Sequence, residues 1–326
     1  MMSSHEIDDS VWLQHAGLNI LQSILLLTIM GSFFALLGWM FWGQNGVIML
    51  LIFGILGIFI NSFIAPQMVM SLYGAIPITP EQAPEIWKAV KKLSKRAGLP
   101  TVPELYYIPS QMLNAFSVGT RSHSAIAITD GLARELELPE LIGVIAHEIS
   151  HIRNNDLWVM GLADMFSRTT SMISLMGQFL LLINLPLIMM SGQPINWFAI
   201  LLMIFAPNLS ALAQLALSRT REYNADLNAA RLTGDPESLA SALVKIEKSQ
   251  GGWMEQVFLP GRNVPVPSLL RTHPETEARI KRLMELKPNI SDKNILSDIF
   301  ANGNFHSKFS QPINRPPRWH INGLWY

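Results

Sequence analysis

The sequence predicts a mainly helical membrane protein, with four transmembrane helices in two hairpins and a polar domain that carries a small β-hairpin. Hydrophobic residues make up 49% of the 326 residues and charged residues only 15%, whereas soluble domains usually contain about 25% charged residues. Two long stretches contain no Asp, Glu, Lys or Arg, one between Asp9 and Glu81 and one between Arg168 and Arg219. The segments between and after them are polar, so a membrane part and a water-facing part are expected.

The charge balance and the missing residue types exclude several classes of function. The formal net charge is zero and the isoelectric point is about 7.1, so the chain has no basic excess, and we expect no nucleic-acid partner. The chain contains no cysteine, which excludes disulfides, thiolate metal sites and a cysteine nucleophile. Any metal site must therefore use His, Asp or Glu.

The first uncharged stretch predicts a transmembrane hairpin over residues 18–65, after an N-terminal segment of residues 1–17. Leu18–Trp42 and Val47–Ala65 each provide the roughly 20 apolar residues that cross a bilayer. The polar residues of Gly43–Gly46 separate the two helices. Because the N-terminus is acidic and the apolar stretch is long, we expect a retained anchor and not a cleaved signal peptide.

The second uncharged stretch predicts another hairpin, over residues 169–217. Its two helices would be Met172–Met190 and Asn196–Leu217. Pro186 and Pro207 lie inside or beside these helices, and because proline disturbs helix ends and interiors alike, more than one pair of boundaries fits the sequence. The two hairpins together predict four transmembrane helices.

The distribution of basic residues predicts the orientation of the chain. The tight loops of both hairpins lack charge, whereas lysines and arginines concentrate at the opposite ends of the helices. The positive-inside rule therefore predicts that the polar segments 66–168 and 218–287, the polar tail 288–326 and both termini lie in the cytoplasm.

Local patterns in the polar segments predict one β-hairpin, one lysine-rich helix and three further helices. The lysine-rich helix would carry Lys88, Lys91, Lys92, Lys95 and Arg96. Met112–Val118 and Ala125–Thr129 have the composition of strands, and Gly119–Ser124 would form the turn between them. A helix is expected to begin near Pro139, because proline is tolerated in the first helical turn. The predicted helices are Glu140–Asn155, Ser218–Leu232 and Pro236–Ser249.

His147, Glu148 and His151 form the pattern H-E-x-x-H, which places two imidazoles one turn apart on one helix face. This spacing suits a catalytic zinc ion, which keeps three protein ligands and a water. Zinc makes the water acidic, and the adjacent carboxylate of Glu148 would take its proton and later pass it to the leaving amine. The motif therefore predicts peptide-bond hydrolysis with one zinc ion per chain.

A third ligand must come from elsewhere in the chain. The extended metzincin pattern would need Gly at position 154 and His at position 157, where this chain has Asn154 and Leu157. Glu222 and Asp226 are four residues apart and share a helix face, so one could bind zinc while the other supports a zinc-binding histidine. The alternative is a solvated, salt-bridged helix face formed with the neighbouring arginines.

With these motifs the chain resembles the HtpX-like membrane zinc metallopeptidases, relatives of the type I CAAX prenyl proteases. The resemblance spans most of the chain, including both predicted hairpins. The motifs that carry it are Asn114-Ala115-Phe116, the stretch Ile145–Asp156 with H-E-I-S-H, the E-x-x-x-D pattern of Glu222–Asp226, and Thr272-His273-Pro274.

The resemblance implies a zincin-like catalytic domain of the gluzincin class. His147, His151 and Glu222 would bind zinc, and Glu148 would be the catalytic base. With Glu222 as the ligand, Asp226 is the carboxylate left to accept the second ring N–H of a zinc-binding histidine, as metal-bound histidines usually require. The resemblance also implies an enzyme of the cell inner membrane, facing the cytoplasm, that cleaves misfolded or damaged membrane proteins as part of a stress response.

Two further motifs admit a functional role. The strand at Asn114, Ala115 and Phe116 could receive an extended substrate along an exposed edge and present its scissile bond to the zinc ion, although an ordinary core strand would look the same. His273 could donate a hydrogen bond to a developing oxyanion, or it could be structural.

Two competing functions are a protease for prenylated C-terminal peptides and a non-enzymatic membrane scaffold or transporter with a structural metal. Four spans enclose little volume, and no second apolar cluster suggests a lipid pocket, which disfavours prenylated substrates. The four predicted spans contain no charged residue, which disfavours transport. We therefore expect protein or peptide substrates, especially membrane proteins, and contact with the lipid bilayer.

Overall fold

The computed structural model describes residues 9–62, 66–190, 197–251 and 276–286. The helices are α1 Asp9–Ser62, α2 Pro66–Leu72, α3 Pro84–Ala97, α4 Asp130–Glu135, α5 Leu138–Arg153, α6 Asp156–Met190, α7 Trp197–Thr233, α8 Pro236–Gly251 and α9 Thr276–Glu285. The strands are β1 Ile76–Pro77, β2 Glu104–Ile108, β3 Ala115–Gly119 and β4 Ser124–Thr129. The chain forms two compact units, an apolar unit of residues 18–63 and 158–220 and a polar unit built from the remaining residues.

In the apolar unit, α1 consists of two helical segments that meet at Gly43. The backbone of Gly43 is not helical, with φ 61° and ψ −144°, a conformation that glycine adopts without strain. Gly46 follows the break, and a Cβ atom there would lie 2.1 Å from the carbonyl oxygen of Gly38. Glycine is therefore required where the two segments approach each other, at the loop expected over Gly43–Gly46.

Three helices of the described residues are long and apolar enough to cross a membrane, namely Gly17–Met40, Asp156–Leu187 and Trp197–Thr233. The predicted fourth span, Val47–Ala65, is not among them, and its last residues 63–65 lie outside the described part of the chain. The expectation of a mainly helical membrane protein is thus confirmed, whereas the fourth span stays a prediction.

The side chains of the apolar unit separate into a small core and a large exposed surface. Met30, Met160 and Leu217 pack together in one cluster, and Phe34 and Ile173 belong to a second. Most other large apolar side chains of these helices face outward. Examples with about 70% exposure are Met172 at 73%, Leu175 at 71% and Leu182 at 69%. An apolar outer surface of this extent is unstable in water and suits a lipid environment.

The polar unit contains a four-stranded sheet with the order β1-β2-β4-β3. Strands β3 and β4 are antiparallel, with Ala115 opposite Ile128, so the predicted β-hairpin is confirmed. β2 runs parallel to β4, and β1 runs antiparallel to β2. Neither β1 nor β2 was expected from the sequence, because β1 has only two residues and β2 shows no alternation of buried and exposed positions.

The strand expected from Met112 begins only at Ala115, so the prediction that Asn114 lies in the strand is wrong. The hydroxyl of Thr129 donates to the carbonyl oxygens of Met112 at 2.6 Å and Asn114 at 2.8 Å. Oγ1 of Thr129 also accepts a hydrogen bond from the backbone N–H of Asn114. It caps the N-terminus of α4 by accepting another from the backbone N–H of Leu132. Together with one backbone hydrogen bond, from the N–H of Thr129 to the carbonyl oxygen of Asn114 at 3.0 Å, these side-chain bonds hold the residues before Ala115 against the end of β4.

Helix α5 is the central helix of the polar core. Leu141, Ile142, Ile145 and Ile149 are completely buried in its apolar cluster. The helix begins two residues earlier and ends two residues earlier than the predicted range Glu140–Asn155. It ends because Asn155 adopts a left-handed conformation, with φ 54°, which interrupts the helix before α6 begins.

Helix α7 corrects one sequence-based boundary. The sequence predicted a membrane helix ending at Leu217 and a separate helix Ser218–Leu232, but Trp197–Thr233 is one continuous helix. No glycine or proline lies between Pro207 and Thr233, so nothing in this part of the sequence interrupts the backbone hydrogen bonds. The following helix, Pro236–Gly251, matches its predicted range within two residues.

Glu140 of α5 is hydrogen-bonded to two residues of α8. Its carboxylate accepts hydrogen bonds from the N–H of Glu137 at 2.7 Å, from Ser241 at 2.6 Å and from the ammonium of Lys245 at 2.7 Å. Burial raises the pKa of Glu140, but Lys245, Ser241 and the Glu137 N–H together hold it below the ordinary value of 4.5. A carboxyl with a lowered pKa stabilises the fold above its unfolded-state pKa, and this contribution disappears as pH falls.

We expect Glu140→Gln to destabilise the protein by about 1.5–3 kcal/mol at neutral pH, because a hydrogen-bonded charge is lost. The difference from wild type should begin to shrink as pH falls below the ordinary pKa of 4.5, and it should disappear only when pH has passed below the lowered pKa of the folded state. Thermal unfolding in detergent over a series of pH values from 7 into the acid range measures both effects. Glu285→Gln, at an exposed position, is the control; equal unfolding temperatures for the two variants at pH 7 would contradict the prediction.

Candidate active site

The two histidines of the H-E-x-x-H motif lie in the C-terminal half of α5, with their rings edge to face. Their Nε2 atoms are 3.0 Å apart, and the interplanar angle between the rings is 87°. His147 is buried and His151 is nearly so. The helical spacing of four residues brings the rings together, as the sequence predicted, and both Nε2 atoms converge on one point.

Glu222 brings a third donor to this point from α7. One carboxylate oxygen lies 3.4 Å from Nε2 of His147, and the other lies 3.5 Å from Nε2 of His151. One ligand atom from each of the three residues can be chosen so that all lie within 4.8 Å of one another. Two ligands of a tetrahedral zinc ion are separated by about 3.3 Å, given bonds of about 2.0–2.1 Å. The donor set therefore fits zinc.

Two aspartates contact the Nδ1 atoms of the histidines, on the other side of each ring from Nε2. Asp226 Oδ1 lies 2.9 Å from Nδ1 of His147, and Asp156 Oδ2 lies 2.8 Å from Nδ1 of His151. A proton held on Nδ1 by a carboxylate leaves the Nε2 lone pair free for a metal. The structure thus brings Asp226 to the place expected for it. Asp156 was not predicted, and its only signal in the sequence is an acidic residue just beyond the motif helix.

Each of these aspartates is paired with a buried arginine. Arg279 of α9 donates two hydrogen bonds to Asp226, both of 2.7 Å, and its Nη1 lies 3.3 Å from Glu222. Arg221 contacts Asp156 and donates to the carbonyl oxygen of Asn154 at 3.3 Å. Sequence reasoning missed Arg279, because 53 residues separate it from Asp226.

The exposed fractions of these side chains distinguish the two interpretations of Glu222 and Asp226, which were a zinc ligand with a supporting carboxylate and a solvated, salt-bridged helix face. Glu222 is 8% exposed, Asp226 is 3% exposed and Arg221 is 8% exposed. The alternative of a solvated, salt-bridged helix face is therefore wrong, because a solvated face would leave these charges in water. Buried charges of this kind are retained when they are paired or bind a metal.

The charges of the cluster favour a cation. The carboxylates of Glu148, Glu222, Asp226 and Asp156 outnumber the two guanidinium groups by two negative charges when the imidazoles are neutral. Burial alone would lower the pKa of His147, but the carboxylates of Asp226 and Glu222 raise it above its ordinary value. His151 likewise has a raised pKa despite its burial, chiefly because of Glu222. A divalent cation would balance this excess of negative charge.

Glu148 and the predicted substrate strand lie next to each other. The hydroxyl of Ser117, in β3, donates to Oε2 of Glu148 at 2.8 Å. Ala115 is buried and Phe116 is half-buried in the same strand, whereas Asn114 precedes the strand. Within the described residues β3 pairs only with β4, so it is an edge strand. His273 lies outside the described residues, and its role stays a prediction.

Comparisons with known proteins identify relatives over most of the chain. The profile of Peptidase family M48 matches residues 80–287. A protein described as "Protease HtpX homolog" from Acaryochloris marina is 36% identical over 285 residues, covering 83% of this chain and 94% of that protein. Proteins with the same description from Pyrococcus furiosus and Thermococcus kodakarensis are 34% and 35% identical, covering 80% and 82% of this chain and 94% of each relative.

One solved structure is also similar. The crystal structure of S. mikatae Ste24p aligns with 83% of this chain and 66% of its own chain, with 20% sequence identity and a TM-score of 0.45.

Replacing Arg279 should strongly destabilise the protein, because its guanidinium is paired with Asp226 and Glu222. Arg279→Met would leave two buried carboxylates without their cation, which typically costs about 3–5 kcal/mol. Arg279→Lys should recover only part of the loss, because lysine cannot form the two parallel hydrogen bonds. Thermal unfolding of the metal-free protein in detergent measures both variants.

Arg282 on the same helix provides the matched control. Its guanidinium lies 3.7 Å from the centre of the Tyr223 ring, a contact of about 0.5–1 kcal/mol when exposed. If Arg279→Met unfolded at the same temperature as Arg282→Met, the ion pairs of Arg279 would not stabilise the fold as predicted.

Proposed function

The chain belongs to peptidase family M48 and is a membrane protease, and from this premise we propose that it hydrolyses internal peptide bonds with one zinc ion held by His147, His151 and Glu222. The observation that carries the proposal is the convergence of three donor groups at separations of 3.0, 3.4 and 3.5 Å. Neutral imidazoles and a carboxylate are the donor types that catalytic zinc prefers. A glutamate as third ligand makes the site gluzincin-like.

The chemistry follows from the groups around this point. When bound, zinc supplies Lewis acidity, which lets water lose a proton near neutral pH. Glu148 accepts that proton on its carboxylate and later delivers it to the nitrogen of the leaving amine. Asp226 and Asp156 hold the two imidazoles with Nε2 directed at the reacting region. Burial raises the pKa of Asp226, but Arg279 and His147 bring it below its ordinary value. Arg221 contacts Asp156 and holds it in place.

The substrate would bind as an added strand along the outer edge of β3. Ala115 and Phe116 are part of this edge, and the neighbouring Asn114 would contact the peptide where the strand begins. Unpaired backbone groups of an edge strand can hydrogen-bond an extended peptide. The proximity of β3 to Glu148 through Ser117, at 2.8 Å, supports this arrangement because it brings a bound peptide bond close to the base.

The proposal also covers the location of the protein in the cell and the class of substrates that it cleaves. A fourth membrane span over Val47–Ala65 would complete two hairpins, and the positive-inside rule would then orient the polar unit towards the cytoplasm of a cell inner membrane. Misfolded or damaged membrane proteins are the proposed substrates, as the family resemblance implies. Membership of a peptidase family disfavours the alternative of a non-enzymatic scaffold or transporter.

Glu148→Gln tests the chemical mechanism directly. We expect it to abolish casein cleavage while the purified protein keeps about one zinc per chain, because the base is lost but the ligands remain. His147→Ala should lose both zinc and activity. Zinc content and casein cleavage, measured together for each variant, distinguish these outcomes. Full proteolysis by Glu148→Gln would reject the assignment of Glu148 as base.

Glu222→Gln tests the third ligand. An amide binds zinc more weakly than a carboxylate, so we expect zinc affinity to fall by at least tenfold, measured by competition with a chelator. Glu247→Gln, on the surface of α8, is the control. If Glu222→Gln kept full zinc affinity and activity, the hydrolase function could stand, but Glu222 would not be the ligand.

The substrate class is tested by competition between two kinds of substrate. We expect an unfolded membrane protein to be cleaved faster than a farnesylated C-terminal peptide at equal concentration, in the same detergent. Faster hydrolysis of the farnesylated peptide would favour the prenyl-protein protease over the quality-control protease.

A further inference from the structure

Ser117 is the residue of β3 that faces the catalytic motif. Its Oγ lies 2.8 Å from Oε2 of Glu148 and 3.5 Å from the backbone carbonyl oxygen of the same residue. Ser117 is 5% exposed and Glu148 is 8% exposed, so little water reaches this contact. A buried carboxylate needs hydrogen-bond donors, and the Ser117 hydroxyl is a donor that the strand supplies.

The register of β3 directs this hydroxyl. Side chains alternate along a strand, so Ala115 and Ser117 share the buried face. Phe116 lies on the opposite face, with its ring 5.1 Å from that of Tyr73. The backbone of Ser117 is paired with Ile126 of β4, which fixes its position along the strand. A slip by one residue would turn the hydroxyl away from α5.

The hydrogen bond also distinguishes the two oxygens of Glu148. Oε2 uses one of its two lone pairs to accept from Ser117, which leaves Oε1 the less occupied oxygen for accepting a proton from water. When Oε1 carries that proton, Oε2 is a carbonyl oxygen and still accepts from the serine hydroxyl. The contact therefore persists while Glu148 takes a proton and later gives it to the leaving amine.

We propose that Ser117 is a positioning residue, which holds the Glu148 carboxylate in the orientation for proton transfer and links it to the strand along which the substrate binds. The inference rests on the proposed function of Glu148 as base. The same strand would then align the substrate through its backbone and the base through one side chain. A misplacement of about 1 Å between base and substrate is enough to slow an enzyme strongly.

Four variants test this role in the full-length protein in detergent with a fluorogenic peptide substrate. Ser117→Ala removes the hydroxyl, Ser117→Cys keeps the size of the side chain with a weak donor, and Ser117→Thr keeps the hydroxyl. Ser124→Ala is the matched control, because Ser124 is a buried serine of β4 whose hydroxyl has no hydrogen-bond partner among the described residues.

We expect Ser117→Ala to lower kcat by about ten- to hundredfold, the usual effect of losing a hydrogen bond to a charged group. KM and zinc content should stay close to wild type, because neither the binding edge nor the metal ligands change, whereas the unfolding temperature should fall because the buried carboxylate of Glu148 loses a donor. Ser117→Thr should recover most of kcat, and Ser124→Ala should leave it unchanged. If Ser117→Ala does not fold, Ser117→Cys provides the same comparison, with a reduced kcat at unchanged KM.

A wild-type kcat in Ser117→Ala or Ser117→Cys would overturn the inference, and so would a loss that appears in KM alone. Glu148→Gln, measured in parallel, separates this failure from failure of the proposed function. An inactive Glu148→Gln beside a normal Ser117→Ala would reject only the role of Ser117. Full activity of Glu148→Gln would reject both.

Discussion

The active-site region depends on the compensation of buried negative charge. Four carboxylates surround two imidazoles in a place where every charged side chain is at most about a tenth exposed. Such a cluster is tolerated only when cations and hydrogen-bond donors meet each oxygen. Arg279 and Arg221 supply two positive charges, and the charge that remains uncompensated lies where three donors converge. The proposed affinity for a metal ion would therefore arise from the same electrostatic constraint as the pairing of aspartates with arginines.

This constraint also explains which elements must come together. The motif helix α5 supplies both imidazoles, α7 supplies Glu222 and Asp226, the first residue of α6 supplies Asp156, and α9 supplies Arg279. None of these groups is stable in the buried interior without the others. The left-handed residue Asn155, with φ 54°, ends α5 and allows Asp156 to return to His151. The short turn at Asn155 thus places the carboxylate of Asp156 beside Nδ1 of His151.

The reactive groups lie on rigid elements, which suits catalysis. His147, Glu148 and His151 are on a helix whose apolar face is completely buried, and Ser117 is on a strand paired with β4. Sites built on packed helices and strands hold their geometry more closely than sites on loops.

Local patterns in the sequence determined the positions of the apolar stretches, the H-E-x-x-H ligand pair, the helical spacing of Glu222 and Asp226, and the β3–β4 hairpin. Each is a property of one element, because helical and strand periodicities place residues a few positions apart on one face. Only the tertiary structure decided that α7 is continuous, that the strand begins after Asn114, and that β1 and β2 complete a sheet. It also decided the partners Asp156, Arg279 and Ser117. These contacts join residues from separate elements, and packing of the core, which periodicity does not report, brings them together.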